Sequence, residues 1–199
     1  MKEEASDLTR RIAERLRQLR ATRRFSLDIL ARRSGVSRSM ISLIERGESS
    51  PTAVVLDKLA ASLGVAMASL FDAPAIAAEP NKGPVARRAE QAQWRDPASG
   101  YLRRVISPPG VRQPVQIIEV LFPPRARVAF EASRRDSHVH QQVWVLEGEI
   151  EIASDAERYR LREGDCPAMQ LERPKMFYNP TRKTTRYAIV VATEPSFEQ

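Results

Sequence analysis

The chain has only two histidines, His138 and His140, and they stand two residues apart. On a β-strand that spacing puts both imidazoles on one face, which is how a protein begins to hold a transition metal. Gln141 and Trp144 follow directly, and further on come Lys175, Phe177 and Tyr178. A lysine ammonium among aromatic rings suits a carboxylate or phosphate in a partly apolar pocket. A second concentration of chemistry is basic and lies near the start. Arg23, Arg24, Arg32, Arg38 and Arg46 are interleaved with hydroxyls at Ser26, Ser37, Ser39 and Ser42. Arginine forks fit phosphate oxygens and the acceptor edge of guanine.

The whole chain shares that bias. Its 199 residues carry 32 Lys plus Arg against 25 Asp plus Glu, a net charge of +7. With a pI near 10.1, a polyanionic partner is expected. No run approaches the roughly 18 apolar residues of a membrane helix. Acids occupy the opening Met1-Lys2-Glu3-Glu4, where a secretory signal would be basic and then apolar. A cytoplasmic protein is therefore expected. The lone cysteine, Cys166, excludes an internal disulfide and an all-cysteine zinc site. Set between Asp165 and Pro167, it reads as quiet packing rather than a redox sensor.

The elements that must position these groups divide by composition. Of 14 prolines only Pro51 falls within residues 1–73, and the aromatics there are Phe25 and Phe71 alone. The first part can be helical and the rest cannot be mostly so. Leu8, Ile12, Leu16 and Leu19 recur at helical spacing. Ser26 opens a second helix that stops at Gly35, and Ser37 opens a third with Met40, Ile41 and Ile44 inward. Thr52 opens a fourth that stops at Gly64, and Met67 to Phe71 form a short fifth. A Pro-, Ala- and Gly-rich linker is expected over residues 73–92. After it, runs at Val115–Phe122, Gln141–Ile152, Glu157–Leu161 and Arg186–Ala192 are separated by turns. Short strands at near-regular spacing indicate an all-β barrel or sandwich.

Ala31 is small where a crossing helix must come close, Gly35 permits a tight turn, and Val36 with Ile41 can bury the contact between helices two and three. With Ile44-Glu45-Arg46-Gly47-Glu48, Pro51-Thr52 and Leu63-Gly64-Val65, this stretch resembles the repressor/Cro (XRE) helix-turn-helix family from about Leu8 to Phe71. The resemblance implies a five-helix, lambda-repressor-like DNA-binding bundle over residues 1–72. It places the third helix in the major groove, with Arg38, Ser39, Ser42 and Leu43 toward the bases. Ser26, Leu27 and Ser37 at the helix starts, together with Arg46, are expected at the backbone phosphates. Glu45 is expected in a structural salt bridge.

Trp144-Val145-Leu146-Glu147-Gly148, then Gly164-Asp165 and Asn179, resemble the two motifs of the cupin family. They imply a jelly-roll (double-stranded β-helix) barrel over residues 93–199. Metal-binding cupins use a His-x-His, a glutamate and a further histidine. Here Gln141 stands at the glutamate position and Lys175 at the last histidine position. A lysine ammonium repels a cation and a glutamine is a weak ligand, so no metal and no cofactor are expected, a weak two-histidine site on His138 and His140 aside. If residues 138–146 form one strand, His138, His140, Gln142 and Trp144 share a face and Gln141 lies opposite.

Together the halves imply a two-domain, helical plus all-β transcription regulator, a repressor by resemblance. Its barrel would dimerise and sense a small anionic effector through His138, His140, Gln141, Trp144, Lys175 and Phe177. Two alternatives stand beside it: a metal-dependent cupin enzyme with an accessory DNA-binding head, and a DNA-binding regulator with a purely structural barrel. No catalytic set supports the enzyme.

Overall fold

A computed structural model describes residues 2–71, 84–109, 114–132, 139–155, 157–169, 171 and 173–193, with side chains from Leu8 onward. Four α-helices come first: α1 Lys2–Thr22, α2 Leu27–Ser34, α3 Arg38–Glu45 and α4 Ala53–Ser62. Each of the last three begins at a hydroxyl cap. The side chains of Ser26, Ser37 and Thr52 accept from the amides of Ile29, Met40 and Val55. Between α2 and α3 the chain turns through Gly35, whose φ of 68° lies in the left-handed region that favours glycine. The expected fifth helix is instead a 3-10 helix, Met67–Phe71. Its Ser69 amide bonds the Ala66 carbonyl three residues back, and five residues are too few to establish the α-helical ladder.

Leu8, Ile12 and Leu16 of α1 pack with Leu30, Ile41, Ile44, Leu56 and Leu59. At the edge of this core, Glu45 is buried and accepts a bidentate pair from Arg20, Nε to Oε1 at 2.7 Å and Nη2 to Oε2 at 2.8 Å. Arg20 also donates to the Phe25 carbonyl at 2.9 Å. One guanidinium thus ties α1 to α3 and to the turn before α2, and the expected salt bridge of Glu45 is present.

Two antiparallel sheets make the second unit. The larger has β1 Gln93–Arg95, β2 Leu102–Val105, β3 Val115–Phe122, β10 Thr185–Thr193, β5 Val139–Glu147 and β8 Ala168–Met169, adjacent in that order. The smaller has β4 Arg127–Phe130, β9 Lys175–Tyr178, β6 Glu149–Ser154 and β7 Glu157–Arg162. Ile118, Val120, Val143, Val145 and Ile189 from the larger face Val128, Ile150, Ile152 and Phe177 from the smaller. Gly148 joins β5 to β6 with φ of 83°, and a Cβ there would stand 3.2 Å from Thr185 Oγ1. Asn179 is fully buried. Its Nδ2 donates to the carbonyls of Phe122, Pro123 and Lys183, and its Oδ1 accepts from the Thr181 amide and hydroxyl. Both motif residues therefore hold turns together.

The two units share a contact. Phe71 meets Trp94 edge-on at 5.8 Å between ring centroids, and Trp94 meets Tyr101 at the same distance. The Asp96 carboxylate accepts from the Ala53 amide at the start of α4 at 2.9 Å. Lys58 pairs with Glu131 at 2.7 Å.

Candidate nucleic-acid interface and barrel cavity

Helix α3 buries one stripe, Ile41, Ile44 and Glu45, and shows the rest. Ser37, Arg38, Ser39 and Met40 are exposed at its start, and Ser42 and Leu43 are half-buried. Met40, expected in the core, is 37% exposed, because an eight-residue helix has a single inward stripe and Ile41 takes it. No acid lies in the first turn of α3, so its positive end is left for an anion. Arg38 reaches across to Asp28 of α2, Nε to Oδ1 at 3.4 Å, with both side chains largely in solvent. The hydroxyls of Ser37 and Ser39 lie 3.2 Å apart. Ser26 is exposed at the start of α2, Leu27 is half-buried behind it, and Arg23, Arg24 and Arg32 are exposed nearby.

Arg46 is held within the protein. Its Nε and Nη2 bond the two Glu48 oxygens at 2.7 and 2.8 Å, and its Nη1 bonds Ser42 Oγ at 2.5 Å. The hydrogen bond holds the Glu48 carboxyl below its ordinary range and the Arg46 guanidinium above its own.

A cavity of about 60 Å³ lies inside the barrel against the helical domain. Of the residues read from the sequence for an effector, Gln141, Lys175 and Phe177 line it. His140 and Trp144 do not. They stand with Gln142 on the exposed side of β5, because strand alternation turns Val143 and Val145 inward. His138 lies outside the described residues. Lys175 is buried, and its Nζ donates to the carbonyls of Leu171 at 2.9 Å and Arg173 at 3.1 Å. Gln141 and Lys175, the residues read at the glutamate and last histidine positions of the motif, both line the cavity. An ammonium in that wall does not fit a bound cation. Among the described residues no three His, Cys, Asp or Glu side chains come together as a ligand set. Cys166, expected as packing, is exposed.

Other groups at the cavity were not read from the sequence. Arg103 of β2 pairs in register with Val120, an inward residue of β3, and lines the cavity with Tyr101 and Tyr187. Arg103 is 6% exposed, its guanidinium carbon lies 5.5 Å from the Phe71 ring centroid, and its Nε has no hydrogen-bond partner. Burial pushes the Tyr101 phenol up to about 12, with the Arg103 charge pulling the other way. Burial raises Tyr187 as well. From the helical domain Asp57, Ala66, Met67 and Ala68 complete the lining. An arginine at an inward strand position is the signal that could have marked this site. It was hidden because Leu102–Val105 is too short to show its alternation.

An exposed, capped helix after a tight turn, on a small bundle joined to a β-barrel, defines a class: a helix-turn-helix unit and a barrel in one chain. Residues 16–70 match the helix-turn-helix family HTH_3. The HTH-type transcriptional regulator SutR of Escherichia coli (strain K12) is 27% identical over 194 residues, spanning 91% of this chain and 94% of its own. A crystal structure of an HTH_3 family transcriptional regulator from Vibrio cholerae matches with a TM-score of 0.74 at 24% identity, over 96% of this chain and 99% of that one. It shows the same two-unit fold. The chain thus carries an HTH_3 helix-turn-helix domain over residues 16–70, followed by a two-sheet β unit. No helix among the described residues is long and apolar enough to cross a membrane.

Proposed function

We propose that the protein is an operator-specific repressor that works as a homodimer, paired through its barrels and controlled by a small anionic effector. Helix α3 lies in the major groove, with Arg38 taking a guanine edge, Ser39 and Ser42 adding polar contacts, and Leu43 meeting a thymine methyl. The helix-start amides beside Ser26, Leu27 and Ser37 hold phosphates, and Arg46 adds grip once released from Glu48. The observation that carries this reading is the exposed, acid-free start of α3 with Arg38 projecting from it.

Pairing is supported by the outer face of the larger sheet. Ile117 sits beside Val190 in register, and Trp144 beside Ala188. Ile117 is 40% exposed and Trp144 48%, and such a face favours a partner. Effector control is supported by the cavity, since a barrel with no ligand to hold would fill its interior with side chains. Of the residues first read for the effector, Gln141, Lys175 and Phe177 fit that role.

The test is selection of bound duplexes from a random DNA pool. Enriched sites are expected to contain inverted half-sites centred about 10–10.5 base pairs apart or a multiple of that. Enrichment of single half-sites would overturn the dimer, and no enrichment at low salt would overturn the reading helix.

A further inference from the structure

We propose that the cavity between the helical domain and the barrel binds a small monocarboxylate on Arg103, and that its occupant biases where the DNA-reading domain sits. The second half of that statement rests on the regulator reading above; the first does not.

Arg103 is the anchor because of what it lacks. It lies at an inward register position of β2, is 6% exposed, and its Nε–H has no acceptor. A buried N–H without an acceptor is costly, and a carboxylate beside the guanidinium supplies one, next to the existing Arg103–Tyr101 hydrogen bond. Lys175 contributes charge, with its ammonium bonded to the Leu171 and Arg173 carbonyls.

Charge fixes the valence. Apart from the tyrosines, the ionisable side chains among the described lining residues are Arg103, Lys175 and Asp57, two cations and one anion. A monoanion suits this lining better than a dianion such as hydrogen phosphate, whose second charge is costlier away from water. Size fixes the length. About 60 Å³ holds roughly five water-sized groups. Val128, Phe177, Ile189 and Val191 give the remaining wall an apolar surface. A carboxylate on a short hydrocarbon body satisfies all three constraints.

The occupant would touch both domains. Asp57 of α4 and Ala66, Met67 and Ala68 just after it belong to the helical domain, and Phe71 supplies the ring under Arg103. A ligand held by Arg103 therefore favours the docked placement, and shifts operator affinity by its preference for that placement.

The experiment titrates full-length protein, without DNA, with the straight-chain acids from formate to hexanoate, and with inorganic phosphate and n-butylamine. Saturable heat is expected for the acids with an optimum at three to five carbons, roughly the size the cavity admits. Phosphate and butylamine are expected to bind at least about tenfold more weakly. Arg103→Gln is expected to weaken butyrate about tenfold or more, and Arg103→Lys, which keeps charge without the fork, to lose most of the same factor. Because either variant could fold poorly, the wild type is also followed by methionine-methyl NMR. The Met67 signal is expected to shift with butyrate and that of Met40 to stay. No saturable binding of any acid, phosphate binding as tight as butyrate, or binding with a silent Met67 each overturns the site. Operator affinity is then measured with saturating butyrate, where a change of about fivefold or more is expected. Unchanged affinity with binding intact overturns the coupling alone. Loss of all operator binding in the ligand-free protein refutes the regulator reading and leaves the calorimetric result standing.

Discussion

The Asp96 carboxylate accepts a 2.9 Å hydrogen bond from the Ala53 amide, so a residue of the barrel closes the start of a helix in the DNA-reading domain. Its other oxygen accepts from the Ser99 amide at 2.8 Å and from the Ser99 hydroxyl. Thr52 already caps α4 from within; Asp96 adds a negative charge at the same positive end, 2% exposed. Asp96→Ala is expected to cost about 2–3 kcal/mol in urea unfolding. Asp96→Asn, which keeps an acceptor, is expected to cost less. Equal losses would mean that the carboxylate charge carries the whole contact and a neutral acceptor carries none of it.

Arg38→Ala is expected to weaken binding to a selected operator by about 1–3 kcal/mol, while binding to random duplex changes little. Quantitative footprinting over a salt series separates the two. Equal loss on every sequence would make Arg38 a phosphate contact.

Ile117→Lys sets a charge on the outer face of the larger sheet, beside Val190. Sedimentation equilibrium is expected to show a monomer for this variant and a dimer for the parent, with the helical domain still folded. Trp144→Glu, in the neighbouring register row on the other side of β10, should act in the same direction. A dimer that survives both changes pairs through another surface.

Buried Tyr101 sets an alkaline limit. Its folded value, about 12, lies above the 10.0 of an exposed phenol, so the unfolded chain releases that proton first as pH rises. Its contribution is complete below pH 10 and drains away between about 10 and 12, by roughly 3 kcal/mol. Tyr187 acts in the same direction. Tyr101→Phe should flatten the stability profile above pH 10 by one proton's slope. An unchanged slope would show that Tyr101 ionises freely while folded.

What could be read from the sequence was local. Ser26, Ser37 and Thr52 cap helices because a hydroxyl bonds an amide three residues on, and Gly35 and Gly148 take left-handed turns their neighbours would resist. What escaped depends on distant partners. Leu102–Val105 carries adjacent arginines that point to opposite faces. Arg103 goes to the cavity, and Arg104 reaches Glu119 at 3.1 Å, a pairing set only when β2 meets β3. Asp96 finds Ala53 from 43 residues away. His140 and Trp144 share the face opposite Gln141, as strand alternation requires, so of the three only Gln141 reaches the cavity.

The chain has two tryptophans. Trp94 is 4% exposed and lies between Phe71 of the reader and Tyr101 of the barrel, while Trp144 is half in solvent. The protein consequently carries its own optical gauge of domain separation. If the reader lifts from the barrel, Trp94 emission moves to longer wavelength while Trp144 emission holds, so the transition can be timed in unlabelled protein by stopped flow.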